Sequence, residues 1–139
     1  MKEQARSSKF FLIDDDSVIN FVNAKIIKLA SPTFEVIAYT NARMALKALT
    51  QCLAAAPEQL PDFILLDINM PGVDGWDFLG EFVTLPQPVQ EKTKVIMLTS
   101  SVDANDIARS RTYKPVIAFL SKPLNSAHLH KLIGTQKGR

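Results

Sequence analysis

Four polar groups in this 139-residue sequence each stand directly behind a short apolar run. Asp14-Asp15-Asp16 follows Phe10-Phe11-Leu12-Ile13, Asp67 follows Phe63-Ile64-Leu65-Leu66, and Thr99 follows Val95-Ile96-Met97-Leu98. Lys122 follows Val116-Ile117-Ala118-Phe119-Leu120 with only Ser121 between. Taken singly, each has a plain structural use, since a carboxylate behind a strand caps a helix or turn as readily as it does chemistry. Gathered in one place they mean something else. Crowded carboxylates repel one another and either raise a pKa or recruit a cation. Mg²⁺ is the natural cation, because it takes oxygen ligands and is usually held by one or two carboxylates together with a phosphate. A lysine adds a fixed positive charge and a threonine a hydroxyl donor. Such a set suits a transferring phosphoryl group, with an aspartate as nucleophile and the metal and ammonium offsetting charge on the phosphoryl oxygens. Asp67 is the carboxylate placed to be that nucleophile. Asn69, Met70-Pro71-Gly72 and Asp74-Gly75 turn the backbone immediately after it.

These groups meet only if the apolar runs are neighbouring parallel strands with their carboxyl ends on one side. Runs apolar on both faces suit the centre of a parallel sheet covered by helices. The intervening segments read as helices. Val18, Phe21, Val22, Ile26 and Leu29 recur at three- and four-residue spacing and are expected to face the core. Asn41 caps a helix through Leu53, Asp74 caps one containing Trp76, Phe78, Leu79, Phe82 and Val83, and Pro86 and Pro88 stop the latter. Residues 103–113 form a weaker helix carrying Arg109 and Arg111, and Asn125 caps a last helix ending near Gly134. A second strand, over 33–39, has the mixed pattern of an edge. Five strands alternating with five helices predict an α/β fold, a doubly wound five-stranded parallel sheet with helices on both faces. The expected strand order is 2-1-3-4-5, flavodoxin-like, which sets the acids after strand 1 beside Asp67.

Composition narrows the function classes. Hydrophobic residues make up 47% and charged residues 22%, as in one globular domain. A net charge of +2 gives no reason to expect direct nucleic-acid binding. The lone Cys52 excludes an internal disulfide, and no Cys/His cluster has metal-ligand spacing. No apolar run approaches the ~20 residues of a membrane span, and the polar N-terminus lacks a secretory signal. A cytoplasmic protein without membrane insertion is expected. Asp16 and Asp74 read as caps, Met70 as packing under its loop, and His128 and His130 as surface residues.

The four motifs in order, Ile13-Asp14-Asp15-Asp16, Asp67-Ile68-Asn69-Met70-Pro71-Gly72-Val73-Asp74-Gly75, Leu98-Thr99-Ser100 and Ser121-Lys122-Pro123, resemble the receiver domain of two-component response regulators. The resemblance covers residues 9–134, with 1–8 expected as a flexible N-terminal segment and 135–139 as a polar tail. It implies that Asp67 is the phosphoacceptor, that Asp15 binds Mg²⁺ directly and Asp14 through a water, and that Asn69 gives the metal its backbone carbonyl. Thr99 would bind a phosphoryl oxygen, Lys122 would pair with the phosphate, Pro123 would follow a cis bond, and Phe119 would be the switch aromatic. The implied protein is a single-domain switch and not an enzyme beyond its own phosphoryl transfer and slow autodephosphorylation. It would be phosphorylated by a histidine kinase or a histidine phosphotransfer protein. It would signal to an output protein, as a monomer or a phosphorylation-linked dimer, through the face of the last two helices and strand 5. Haloacid dehalogenase-like phosphatases share the aspartyl phosphate but need an acid two positions on, where this sequence has Asn69.

Overall fold

The computed structural model describes residues 8–70, 72–100 and 103–137. They form strands β1 (Lys9–Ile13), β2 (Glu35–Tyr39), β3 (Phe63–Asp67), β4 (Lys94–Thr99) and β5 (Val116–Ser121). The helices are α1 (Ser17–Ala30), α2 (Ala42–Ala55), α3 (Gly75–Phe82), α4 (Gln87–Lys92), α5 (Ala104–Ser110) and α6 (Ser126–Lys137). The sheet is parallel throughout, in the order β2-β1-β3-β4-β5. This is the expected fold.

Alternation along the strands divides the core. Phe10, Leu12, Phe63, Leu65, Ile96 and Leu98 face a layer completed by Ile27 and Ala30 of α1 and by Leu129 and Ile133 of α6. Phe11, Ile13, Ile64, Leu66, Val95 and Met97 face the opposite layer, completed by α2 and α3. All five residues of β3 are buried, as its central place requires, whereas the edge strands β2 and β5 are half-buried along most of their length. Phe10 stacks on its register partner Phe63 with ring centroids 5.1 Å apart, and Phe34 meets Phe10 edge-on at 5.3 Å. Aromatic pairs of this geometry contribute beyond their buried area, by roughly 0.5–1.5 kcal/mol each.

The expected caps form. Asp16 accepts from the Val18 and Ile19 N–H groups, Asn41 from Arg43 and Met44, and Asp74 makes a reciprocal capping box with Asp77. Met70 is buried beneath its loop. Three expectations about elements fail. First, α1 turns its apolar stripe outward: Val18, Phe21, Val22 and Leu29 are 66%, 63%, 46% and 75% exposed, while Asn20, Asn23, Ile27 and Ala30 are buried. Of the expected inward residues only Ile26 packs against the core. The cause is local. The inner face of α1 passes over backbone carbonyls at the ends of β1 and β2, and Asn20 Nδ2 donates to the carbonyls of Asp14 (3.0 Å) and Tyr39 (3.4 Å). Second, a sixth helix, α4, starts beside Pro86 and Pro88, which fit its first turn, and it buries Val89 completely. Third, α6 runs past Gly134 to Lys137, so the expected tail is helical over 135–137 and lies outside the described residues beyond that. The expected flexible segment also lies outside them, except for Ser8. That residue is buried, and its carbonyl accepts from the Glu35 N–H at 2.9 Å.

Candidate functional site

Register brings the polar strand ends together. Ile13 pairs with Leu66, Asp67 with Leu98, and Thr99 with Ser121, so each strand delivers its polar residue at the same edge. Backbone bonds close that edge: Asp14 N–H to the Tyr39 carbonyl at 3.1 Å, Ile68 N–H to Leu98 at 3.2 Å, and Lys122 N–H to Thr99 at 2.7 Å. The Lys122–Pro123 peptide is cis, as the family resemblance implies.

Asp14 and Asp67 are each only 4% exposed, and Asp15 is exposed beside them. Carboxylate oxygens of all three lie within 4.8 Å of one another. Lys122 Nζ sits 3.2 Å from Asp67 Oδ1 and 3.5 Å from Asp14 Oδ2. These two buried oxygens share one partner, the Lys122 ammonium held between the two carboxylates. Burial, and then the charge of Asp14, raise the Asp67 pKa above the ordinary carboxylate value; Lys122 and the Asn69 backbone N–H oppose the shift without cancelling it. Burial alone would lower the Lys122 pKa, but its bonds and charge pairing with Asp67 and Asp14 outweigh it and raise the value.

Two glycines let the loop behind Asp67 close. Gly72 has φ +78°, which L side chains rarely adopt. At Gly75 the demand is space: a Cβ there would lie 2.8 Å from Ile68 Cα and 2.9 Å from the Asp67 carbonyl oxygen. The Gly75 N–H donates to the Ile68 carbonyl at 2.9 Å, which presses the start of α3 against the backbone of Asp67.

The other expected site residues are close by. Thr99 is buried at the end of β4, Asn69 is exposed at the rim, and Phe119 in β5 is half-buried against the α2–α3 layer beside Met97. The arrangement thus offers one buried carboxylate of raised basicity, a lysine, a hydroxyl and a further pair of carboxylates. The cation fit rests on Asp14, Asp15 and Asp67, which bring a carboxylate oxygen each to one place, an oxygen-only donor set suited to Mg²⁺. Sequence reasoning missed two contributors. Asn20 fixes the turn after β1, and the signal for it was Asn20, Asn23 and Ile27 at helical spacing opposite the apolar stripe. Trp76 receives the Arg109 guanidinium over its ring at 4.3 Å, a pairing across the chain that no local pattern carries.

A family model for the response regulator receiver domain matches residues 10–134. The chain is 33% identical to a two-component response regulator of known structure from Cytophaga hutchinsonii, covering 96% of this chain and 100% of that one with a TM-score of 0.86. It is 26% identical to response regulator Rcp1 of Synechocystis over 96% of this chain and 89% of that protein. A protein-glutamate methylesterase/protein-glutamine glutaminase of Ralstonia nicotianae is 27% identical over 86% of this chain, which spans only 29% of that protein.

Proposed function

The chain belongs to the response regulator receiver family, and on that premise we propose that it is a single-domain switch, phosphorylated on Asp67 by a histidine kinase or histidine phosphotransfer protein. The observation that carries this reading is the Asp67 carboxylate, buried at 4% exposure and held 3.2 Å from Lys122 beside Asp14 and Asp15. An Asp67 oxygen attacks the phosphorus of the donor's phosphohistidine. The phosphorus–nitrogen bond breaks, its electron pair stays with the imidazole, and an aspartyl phosphate forms. Lys122 offsets the added charge, and Thr99 donates its hydroxyl to a phosphoryl oxygen. Asp14, Asp15, Asp67 and the Asn69 carbonyl would hold Mg²⁺, which supplies Lewis-acid stabilisation of the transferring phosphoryl group. Asn69, two residues beyond Asp67, brings no acid for rapid hydrolysis, so the phosphate is held and autodephosphorylation is slow. Phe119 then turns inward as Thr99 moves, and output follows through binding.

The outward stripe of α1 gives the donor a place to dock. Val18, Phe21, Val22 and Leu29 are exposed along one face, Lys25 lies over the Phe21 ring at 4.8 Å, and the stripe starts at the site, next to Asp15 and the Asp16 cap. A helix presenting phosphohistidine, with an apolar face and acids opposite Lys25 and Lys28, matches it. The test compares phosphoryl transfer from a phosphohistidine protein with transfer from acetyl phosphate, both with Mg²⁺. Phe21→Ser is expected to slow the protein donor at least tenfold and leave acetyl phosphate unaffected. Equal effects on both donors, or none on either, contradict this docking. A partner retained only with a beryllofluoride mimic of the phosphoryl group supports the switch, and phosphate-independent retention contradicts it.

A further inference from the structure

Helix α5 meets the start of α3, just behind the phosphoacceptor loop, at one side chain. In α5 only Ser110 is buried, and its hydroxyl is turned back to the Ile107 carbonyl at 2.7 Å. Besides its contacts with β5, α5 is joined to the body at Trp76. The Arg109 guanidinium lies 4.3 Å from the indole centroid, and the Tyr113 ring, just beyond the helix end, lies 6.0 Å away with planes inclined at 33°. Trp76 itself is 8% exposed and follows directly on Gly75, which has no room for a side chain against the Asp67 carbonyl. From the Asp67 backbone to α5 there is therefore an unbroken run of close packing: Asp67 and Ile68 on Gly75, Trp76 covalently next, Arg109 and Tyr113 on Trp76.

We propose that Trp76 is a coupling residue, clasped by Arg109 and Tyr113 in the phosphate-free state and released when Asp67 is phosphorylated, so that α5 becomes the element whose position reports the switch. The inference rests on the reading of Asp67 as phosphoacceptor. It adds a route to α5 separate from the one through Thr99 and Phe119. An exposed cation–π contact is worth a factor of about two to five in an opening equilibrium, enough to bias a seven-residue helix with little burial of its own.

Trp76 is the only tryptophan, so its emission reads the clasp directly. In the full chain with Mg²⁺, beryllofluoride is added while fluorine NMR follows its bound signal and hydrogen exchange follows the amides of residues 104–110. Wild type is expected to show a shifted Trp76 emission and two- to fivefold faster α5 exchange once the bound signal forms. Arg109→Met is expected to show both changes before beryllofluoride is added. A bound signal with unchanged emission and exchange overturns the coupling and leaves the phosphoacceptor reading intact. Absence of a bound signal in wild type overturns that reading, and the coupling with it. An Arg109→Met protein indistinguishable from wild type in both states also overturns the coupling.

Discussion

Asp67 carries an electrostatic load that works against stability. Its pKa is raised by burial first and by Asp14 second, so folding favours its protonated form. A raised carboxylate supports the fold below its unfolded pKa and loses that support as pH rises through the folded value. At neutral pH the ionised group therefore detracts from stability. Asp67→Asn is expected to raise the thermal midpoint near pH 7.5 by about 3 °C, corresponding to roughly 1 kcal/mol in a domain of this size. The gain should vanish as pH falls into the range where wild-type Asp67 is protonated, and thermal scans across pH check the sign. Lys122 has the opposite profile: its raised pKa adds stability that is complete below 10.5 and lost as pH rises through the folded value. That Asp14, Asp67, Thr99 and Lys122 converge was legible because each stands at the end of an apolar run. The share of burial in raising the Asp67 pKa was not, since it depends on what covers the strand ends. Gly72 and Gly75 read alike in the sequence as turn residues, yet one answers to backbone angle and the other to the space beside the Asp67 carbonyl.

At the scale of elements, α1 holds the main lesson. Periodicity identified the helix and its apolar stripe but not which way the stripe points, because that depends on the carbonyls Asn20 must reach. The two faces give opposite predictions. Phe21→Ser should leave stability within about 0.5 kcal/mol of wild type, as expected at an exposed position. Ile27→Ala, in a fully buried site, should cost about 2–4 kcal/mol. Chemical denaturation of both variants decides the orientation, and a large loss at Phe21 would contradict it. The caps were legible because Asp16, Asn41 and Asp74 act through bonds to residues two or three positions away. Helix α4 was not, since prolines that stop one helix serve equally in the first turn of the next.

For the whole molecule, five strands in the order β2-β1-β3-β4-β5 set one edge as the place where charge collects, and the alternation of strand and helix was enough to foresee it. Among the described residues no helix is long and apolar enough to cross a membrane. The Mg²⁺ site proposed at the acidic cluster predicts that stability responds to a divalent cation. At Mg²⁺ concentrations about 100-fold above its dissociation constant, stabilisation of roughly 2.7 kcal/mol is expected, lost on chelation and in Asp15→Ala. The central claim is that Asp67 accepts a phosphoryl group, and intact-mass and site-mapping measurement after incubation with acetyl phosphate and Mg²⁺ tests it most directly. Wild type should gain one phosphoryl group mapping to Asp67, labile to hydroxylamine, and Asp67→Asn none. An unmodified wild type, or an Asp67→Asn protein phosphorylated stoichiometrically, would contradict the account.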